Sequence, residues 1–190
     1  LGLEKGRYIL LSAHREENID QEKNFFALME AVNSMAETYQ MPIIYSTHPR
    51  SRKFIEQRGF QFHPLVRSLQ PFGFSDYNHL QMKAFCVVSD SGTLPEEASY
   101  FSSQGHPFPA VCIRTSTERP EAIDKGNFIL GSITAQQVLQ AVDMAVKMNQ
   151  EGDLGVDVPN YVDENVSTKV VKIIQSYTGI VNKMVWRKEG

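Results

Sequence analysis

Short apolar segments alternate with helical segments along most of this sequence, and this alternation constrains the fold more than any other feature. Apolar runs of strand length lie at residues 7–13, 42–46, 65–69, 85–88, 110–113 and 128–130. Helices are indicated at residues 23–39, 76–84, 134–149 and 165–184, with shorter ones that end at Gly59 and at Gly126. Strands that alternate with helices form right-handed βαβ units. The sequence therefore predicts an α/β fold, with a Rossmann-like doubly wound parallel sheet that helices cover on both faces.

The segment 152–164 contains two glycines and a proline and shows no periodicity, so it is interpreted as a linker. We expect residues 1–151 to form the Rossmann-like domain and residues 165–190 to add a C-terminal helix and tail. The 190 residues suffice for a substantial hydrophobic core. The sequence begins at Leu1 rather than at a methionine, which suggests a piece of a longer protein.

Composition excludes several classes of function. A formal net charge of −3 argues against an electrostatic nucleic-acid partner, and no run approaches the roughly 18 apolar residues of a membrane span. Nothing at the N-terminus resembles a signal peptide. Cys86 and Cys112 lie within apolar runs and are predicted to be buried, reduced thiols, so a cytoplasmic location is expected. The five histidines show no metal-ligand spacing, and neither a metal nor a cofactor is expected.

Polar clusters follow four of the predicted strands, at residues 14–18, 48–50, 89–93 and 114–121. In open parallel sheets, ligands bind beyond the carboxyl ends of the strands. Because these ends meet at one edge of the sheet, we expect the four clusters to converge there. This pattern is stronger evidence for a ligand site than any single motif.

The segment 85–98 is interpreted as a strand, a turn of small residues and a helix that opens near Thr93. Gly92 would let a ligand approach the backbone closely, and amide groups at the start of the helix suit a phosphate. Pro95 fits the first helical turn. Glu97 lies about one turn into the helix, within reach of a polar group beside the phosphates, such as a ribose diol. The alternative is an ordinary helix start, with Thr93 as its cap and acidic residues that complement the helix dipole.

Two further clusters carry cations that could meet an anionic ligand. His14 and Arg15 directly follow a strand, and an ordinary helix start is the alternative. Arg119 lies beside Pro120 at another helix start, where a diphosphate or sugar hydroxyls would explain it, and an Arg–Glu surface pair is the alternative.

Two interpretations are open for a group of three aromatic residues, and two others for one histidine. Phe72, Phe74 and Tyr77 are either core residues or include one ring that stacks on a base. His48, followed by Pro49, is either a ligand contact or part of a turn that ends a strand.

Four motifs occur together in this order: H-R-E-E-N at 14–18, H-P at 48–49, S-D-S-G-T-L-P-E-E-A at 89–98 and T-E-R-P-E-A at 117–122. Jointly they resemble the non-hydrolysing UDP-N-acetylglucosamine 2-epimerase family, over residues 8 to 127. The tail at 165–186 is similar to a subgroup that forms UDP-N-acetyl-L-fucosamine in capsule and O-antigen biosynthesis.

The resemblance implies a two-domain enzyme of the GT-B type, of which this sequence is the C-terminal, UDP-binding half. It implies a catalytic role for His14 beside the diphosphate and sugar. It also implies UDP or UDP-sugar contacts for seven residues: Arg15, Tyr77 (near uracil), Ser91, Gly92 and Thr93 (diphosphate), Glu97 (ribose) and Arg119 (phosphates or sugar). The implied partners are UDP and a UDP-N-acetylhexosamine, with neither nucleic acid nor membrane, and the full-length protein is expected to be a homodimer.

The family inverts C2 of the sugar by eliminating UDP and adding it back, a reaction that makes the full-length protein an isomerase. The resemblance implies that the acid/base carboxylates lie in an N-terminal domain outside this sequence, so this chain alone is expected to be inactive. Two departures from the family pattern occur: Thr93 stands where the family has a second glycine, and the segment 99–109 is longer than usual. A GT-B glycosyltransferase domain and a non-catalytic UDP-sugar-binding domain are the alternatives.

Overall fold

The structure is a computed structural model that describes residues 1–114 and 119–188. By its internal contacts the chain divides into two units, Leu1–Val158 and Pro159–Gly190. The first unit contains every strand and seven of the eight helices assigned to the described residues, and the second contains one helix.

Six short strands form one parallel sheet, as predicted. They are β1 (Ile9–Ser12), β2 (Ile43–Ser46), β3 (Val66–Leu69), β4 (Cys86–Ser89), β5 (Ala110–Ile113) and β6 (Ile129–Gly131). Their order across the sheet is β3-β2-β1-β4-β5-β6, and every pairing is parallel. The central strands are buried on both faces, which explains why they appear as continuous apolar runs rather than alternating patterns.

Seven helices connect and cover these strands. They are α1 (Glu16–Ile19), α2 (Glu22–Tyr39), α3 (Pro49–Arg58), α4 (Phe74–Gln81), α5 (Leu94–Ser103), α6 (Pro120–Ile123) and α7 (Ala135–Gln150). All but α1 were indicated by the sequence, with ends that shift by up to a few residues. The single turn of α1 is too short to show a periodicity, since four residues complete barely one helical repeat.

Side chains of β1 alternate between two cores because successive residues of a strand point to opposite faces. Ile9 and Leu11 join the larger core, in which α2 and α7 pack on one face of the sheet. The hydroxyl of Tyr39 on α2 donates a 2.6 Å hydrogen bond to Asp143 on α7, which ties these two helices together. Leu10 joins the smaller core on the opposite face, beside α4.

The two cysteines are buried and unpaired, as the sequence predicted. Cys86 lies on β4 within the larger core, and Cys112 is buried on β5. Burial raises the pKa of the Cys112 thiol to about 11. Both side chains therefore act as small apolar residues of the core.

The strand order places a topological switch point between β1 and β4. The chain runs outward from β1 through β2 to β3, returns to β4, and then runs outward in the opposite direction. The connections that leave β1 and β4 therefore diverge, and a crevice opens between their carboxyl ends. The polar clusters at 14–18 and 89–93 flank this crevice.

In the second unit, α8 (Val166–Met184) follows Asn165, which adopts a left-handed conformation with φ 55°. Apolar side chains of this helix, among them Val170, Ile173 and Tyr177, are exposed. No helix within the described residues combines the length and the apolar character needed to cross a membrane. Residues 151–165 contain neither helix nor strand.

The packing of β1 generates a stability prediction. Leu11→Ala removes a fully buried side chain from the larger core, so we expect a loss of about 2–5 kcal/mol in the free energy of unfolding. Met144→Ala is the matched control, because Met144 is exposed on α7 and surface substitutions change stability by about 0.5 kcal/mol or less. Urea unfolding followed by circular dichroism measures both. Equal effects of the two substitutions would contradict the assigned core.

Candidate functional site

The turn after β4 connects the sheet to α5 and is held together by small polar side chains. The amide of Ser91 donates to Ser89 Oγ at 3.0 Å, and the amide of Thr93 donates to Ser91 Oγ at 3.3 Å. Helix α5 begins at Leu94 and carries Pro95 in its first turn, as predicted. The turn therefore presents the start of a ten-residue helix to the crevice.

Gly92 leaves room for Arg15 rather than permitting an unusual backbone. Its φ lies outside the left-handed region, but a Cβ at this position would lie 2.9 Å from Arg15 Nη2. Arg15 is held over the turn because its Nε donates to the carbonyl oxygen of Asp90 at 3.3 Å. Among residues 1–114 and 119–188, no group accepts a hydrogen bond from the Gly92 amide, so this N–H is available to a ligand beside a guanidinium.

Thr93 occupies an ordinary right-handed conformation, with φ −88° and ψ −11°. The position therefore does not need a glycine, and the departure from the family pattern causes no backbone strain. Thr93 does not cap α5 with its side chain. Its hydroxyl instead donates to Glu97 Oε1 at 2.8 Å and lies 3.0 Å from Ser91 Oγ.

Glu97 is held from two sides. Oε1 accepts the hydrogen bond from Thr93, and Oε2 accepts one from Gln81 Nε2 at 2.5 Å. A carboxylate offers about four lone-pair positions, so Glu97 keeps the capacity to accept hydroxyl donors. The structure thus orients this carboxylate one helical turn from the Gly92 amide, as the sequence predicted.

Asp90 is the most important residue to which the sequence analysis gave no role. Its side chain is 0% exposed and accepts hydrogen bonds from the amides of His14 and Arg15, at 2.9 and 2.8 Å, and from Asn18 Nδ2 at 3.1 Å. Asn18 also donates to the carbonyl of Ile113 at 3.0 Å, which brings the end of β5 into the same network. Asp90 therefore fixes the turn after β1 against the turn after β4.

Burial has a direct electrostatic effect on this carboxyl group. Desolvation raises the pKa of Asp90 above its ordinary value, whereas hydrogen bonds from the amides of Arg15 and His14, the Asn18 side chain and the charge of His14 act in the opposite direction. The only sequence signal for this role was the acidic residue directly after a buried strand, which is equally typical of a surface turn.

His14 and His48 stack on each other, with ring centroids 5.2 Å apart and an interplanar angle of 29°. His48 is the N-cap of α3, where its Nδ1 accepts the amide hydrogen bond of Arg50 at 3.2 Å. His48 is thus part of a turn that ends a strand and also contacts a predicted site residue. Arg50 in turn pairs with Glu16 and Asp20.

Arg119 pairs with Glu96 of α5, with 2.8 Å between Nη2 and Oε1. The Arg–Glu surface pair that the sequence left open is therefore present, and it places the guanidinium beside the first turn of α5. The side chains are 41% and 39% exposed, so an anion could reach the guanidinium. Thr117 and Glu118 of the T-E-R-P-E-A motif lie outside the described residues.

Tyr77 is partly buried, and its hydroxyl lies near Ser12 and Ser89 at the ends of β1 and β4. Its ring joins the smaller core with Leu10. Burial raises the pKa of its hydroxyl and the charge of Glu97 raises it further, while the hydroxyls of Ser12 and Ser89 act in the opposite direction. Phe72 packs in the same core. Phe74, in contrast, is 87% exposed, so the interpretation of this residue as a core aromatic is wrong: as the first residue of α4 it points away from the sheet.

The crevice also contains a cation that was not predicted as a site residue. Arg114 follows β5, is almost fully buried, and pairs through Nε with Glu17 Oε1 at 3.0 Å. Within the part of the chain that the structure describes, no group of three or more His, Cys, Asp or Glu side chains is arranged to hold a metal ion. The described part of the site presents amides, guanidinium groups, an imidazole and carboxylates.

Comparison with known proteins identifies the family. The family model for UDP-N-acetylglucosamine 2-epimerase matches residues 2–175. The chain belongs to this family. Among curated relatives, the UDP-N-acetylglucosamine 2-epimerase of Methanococcus maripaludis is 30% identical over 148 residues, which cover 76% of this chain and 39% of the relative. A relative from Pseudomonas aeruginosa, UDP-2,3-diacetamido-2,3-dideoxy-D-glucuronate 2-epimerase, is 28% identical over 70% of this chain and 36% of its own length.

Solved epimerase structures share the fold. The UDP-N-acetylglucosamine 2-epimerase of Rickettsia bellii has a TM-score of 0.79 and 35% identity, over 98% of this chain and 48% of that protein. The Methanocaldococcus jannaschii enzyme in complex with UDP-GlcNAc and UDP has a TM-score of 0.74 and 25% identity, over 90% of this chain and 45% of that one. This chain thus spans less than half the length of these family members. The predicted family and the predicted half of a GT-B-type fold are confirmed.

Substitution of Gly92 tests whether this glycine in the turn after β4 serves to leave room for Arg15. Gly92→Ala adds a Cβ where a flexible guanidinium end can move away, so we expect the free energy of unfolding to change by less than about 1 kcal/mol. Gly59→Ala is the matched control: Gly59 has φ +61°, and a left-handed alanine costs about 1–2 kcal/mol. Urea unfolding compares the two variants. An equal or larger loss in Gly92→Ala would mean that the turn stores backbone strain.

Proposed function

We propose that this chain is the UDP-binding half of a UDP-N-acetylhexosamine 2-epimerase. The observation that carries the proposal is the turn at the switch point, where the Gly92 amide, the start of α5 and the Arg15 guanidinium lie together. Amides and a guanidinium at a helix start form a suitable site for a diphosphate. A family member of the same fold has been solved in complex with UDP-GlcNAc and UDP.

The predicted site residues take the following roles in this proposal. Ser91, Gly92 and Thr93 hold the diphosphate, and Arg15 and Arg119 balance its charge from two sides of the turn. Glu97, which is oriented by Thr93 and Gln81, accepts hydrogen bonds from the ribose hydroxyls. The uracil contact of Tyr77 remains a prediction, since the ring packs in the smaller core.

The reaction requires groups on both sides of the sugar. C2 loses its proton, the C1–O bond breaks with its electron pair on the β-phosphate oxygen, and UDP then adds back after a proton returns to the other face of C2. On this chain His14 lies beside the developing charge of the leaving diphosphate, where an imidazole can donate a hydrogen bond. The proton transfers at C2 need acid/base groups, which we assign to the part of the protein outside this chain.

Four finer points belong to this proposal: three rest on the family resemblance, and the cytoplasmic location rests on the two buried cysteines. They are assembly of the whole protein as a homodimer, a cytoplasmic location, a role in capsule or O-antigen biosynthesis, and a substrate that leads to UDP-N-acetyl-L-fucosamine. The names of two relatives give different UDP-sugars, so the family tolerates variation in the sugar. Membership of an epimerase family favours this function over a GT-B glycosyltransferase domain.

The ribose contact is tested by Glu97→Ala. We expect UDP affinity to fall by about 10- to 150-fold, which corresponds to the roughly 1.5–3 kcal/mol of a hydrogen bond to a charged group. Calorimetry with UDP and with 2′,3′-dideoxy-UDP makes the test specific, since the variant should no longer distinguish these ligands.

Glu96→Ala is the control for this test, because Glu96 lies in the same helical turn but pairs with Arg119. It should leave UDP affinity unchanged or raise it. If Glu97→Ala bound both ligands as tightly as the unsubstituted chain, Glu97 would have no role beyond the helix start.

The division of the catalytic groups is tested by proton exchange at C2. The 190-residue chain should bind UDP but exchange no C2 proton of UDP-N-acetylglucosamine in deuterated water. Displacing a catalytic group by about 1 Å already lowers the rate about 10²-fold, so a chain without the acid/base groups should show no exchange. In the complete protein, His14→Ala should lose most of its epimerase activity and keep its fold. NMR of the sugar follows the exchange. Exchange catalysed by the chain alone would place the acid/base groups within these residues.

A further inference from the structure

We propose that Asp90 is a positioning residue for His14: its carboxylate keeps a proton on Nδ1 of the imidazole and leaves Nε2 as the nitrogen that meets the ligand. The identity of that ligand rests on the proposed function. The contact between Asp90 and His14 does not, because it lies within this chain.

The two oxygens of Asp90 have different surroundings. Oδ2 accepts three hydrogen bonds, from the amides of His14 and Arg15 and from Asn18 Nδ2, at 2.8 to 3.1 Å. Among the residues that the structure describes, Oδ1 receives only a second, 3.1 Å contact from the His14 amide. His14 Nδ1 lies 3.5 Å from this less occupied oxygen. The remaining acceptor capacity of a fully buried carboxylate therefore faces one edge of the imidazole.

The imidazole is held on a second side by His48, whose ring stacks against it. His48 is itself fixed, since it accepts the Arg50 amide and Arg50 pairs with Glu16 and Asp20. With one face against His48 and the Nδ1 edge toward Asp90, the ring has a defined orientation. Nε2 then lies on the edge turned away from the carboxylate, and the His14 side chain is 38% exposed.

This arrangement decides which nitrogen carries the proton. A carboxylate accepts hydrogen bonds and cannot donate one when it is ionised, so it favours N–H at the facing nitrogen. Nε2 of the neutral ring then has its lone pair directed to the crevice, and the protonated ring has an N–H there for a phosphate oxygen. The 3.5 Å separation is long for a hydrogen bond, and such contacts in ligand-free sites often tighten only when the ligand binds.

The test uses the ligand-free 190-residue chain with ¹⁵N-labelled histidine rings. Ring ¹⁵N chemical shifts in NMR distinguish the Nδ1–H from the Nε2–H tautomer, and a His14→Gln variant assigns the His14 signals among the five histidines. We expect the Nδ1–H form for His14. A His14 ring that carries its proton on Nε2 in the unsubstituted chain overturns the proposal without any variant at Asp90.

Asp90→Asn sharpens the test. Its amide oxygen can replace Oδ2 and keep the three donors, which places the NH₂ group where Oδ1 faced the ring. Since NH₂ donates, Nδ1 must accept, and the proton should move to Nε2. Persistence of the Nδ1–H form in a folded Asp90→Asn chain also overturns the proposal.

Asn18→Ala separates positioning from simple support of the fold. It removes one donor from Oδ2 and the hydrogen bond to the Ile113 carbonyl. The oxygen that faces the ring is left in place, so the Nδ1–H form should remain. Loss of that form in Asn18→Ala as in Asp90→Asn would show that the tautomer merely follows the integrity of the turn. UDP calorimetry on the unsubstituted chain tests the proposed function separately, because absence of UDP binding would leave the tautomer result intact.

Discussion

One buried carboxylate connects the parts on which the site depends. Asp90 follows β4, yet its hydrogen bonds go to the backbone after β1 and to a side chain of α1. The desolvation of this group is unfavourable by itself, and the donors around it offset that effect. Without this connection, the two turns that flank the crevice would keep the pairing of their strands and the hydrogen bond from Arg15 Nε to the Asp90 carbonyl.

The rest of the site consists of cations and acids that hold one another in place. Arg15 lies over Gly92, Arg119 pairs with Glu96, and the carboxylate of Glu97 is held by Thr93 and Gln81. A diphosphate would meet groups that are already oriented, so little side-chain entropy would be lost on binding. Membership of the epimerase family is consistent with such a prearranged anion site.

The sheet could be predicted from the sequence because strands buried on both faces form uninterrupted apolar runs. The turn after β4 could be located because small residues and Pro95 precede an amphipathic segment. The single turn of α1 could not, since four residues show no period. The role of Asp90 could not be predicted either, because its partners lie 72 to 76 positions earlier in the chain. For Arg119, local spacing favoured a ligand and left a surface pair as the alternative. Its partner Glu96 lies on α5, and only the packing of that helix brings the two side chains together.

The strand order has a consequence for how the site comes into being. β1 lies near the start of the sequence and pairs with two strands, β2 and β4. Its second neighbour, β4, lies much later in the sequence. The ends of the segment between β1 and β4 must come together, at an entropic cost, before either the sheet or the Asp90 network is complete. An amino-terminal piece that ends before residue 86 would contain His14 and Arg15 but neither their anchor nor the turn opposite them. The crevice can therefore form only after β4 has paired with β1, and the site proposed for the ligand depends on that long-range pairing.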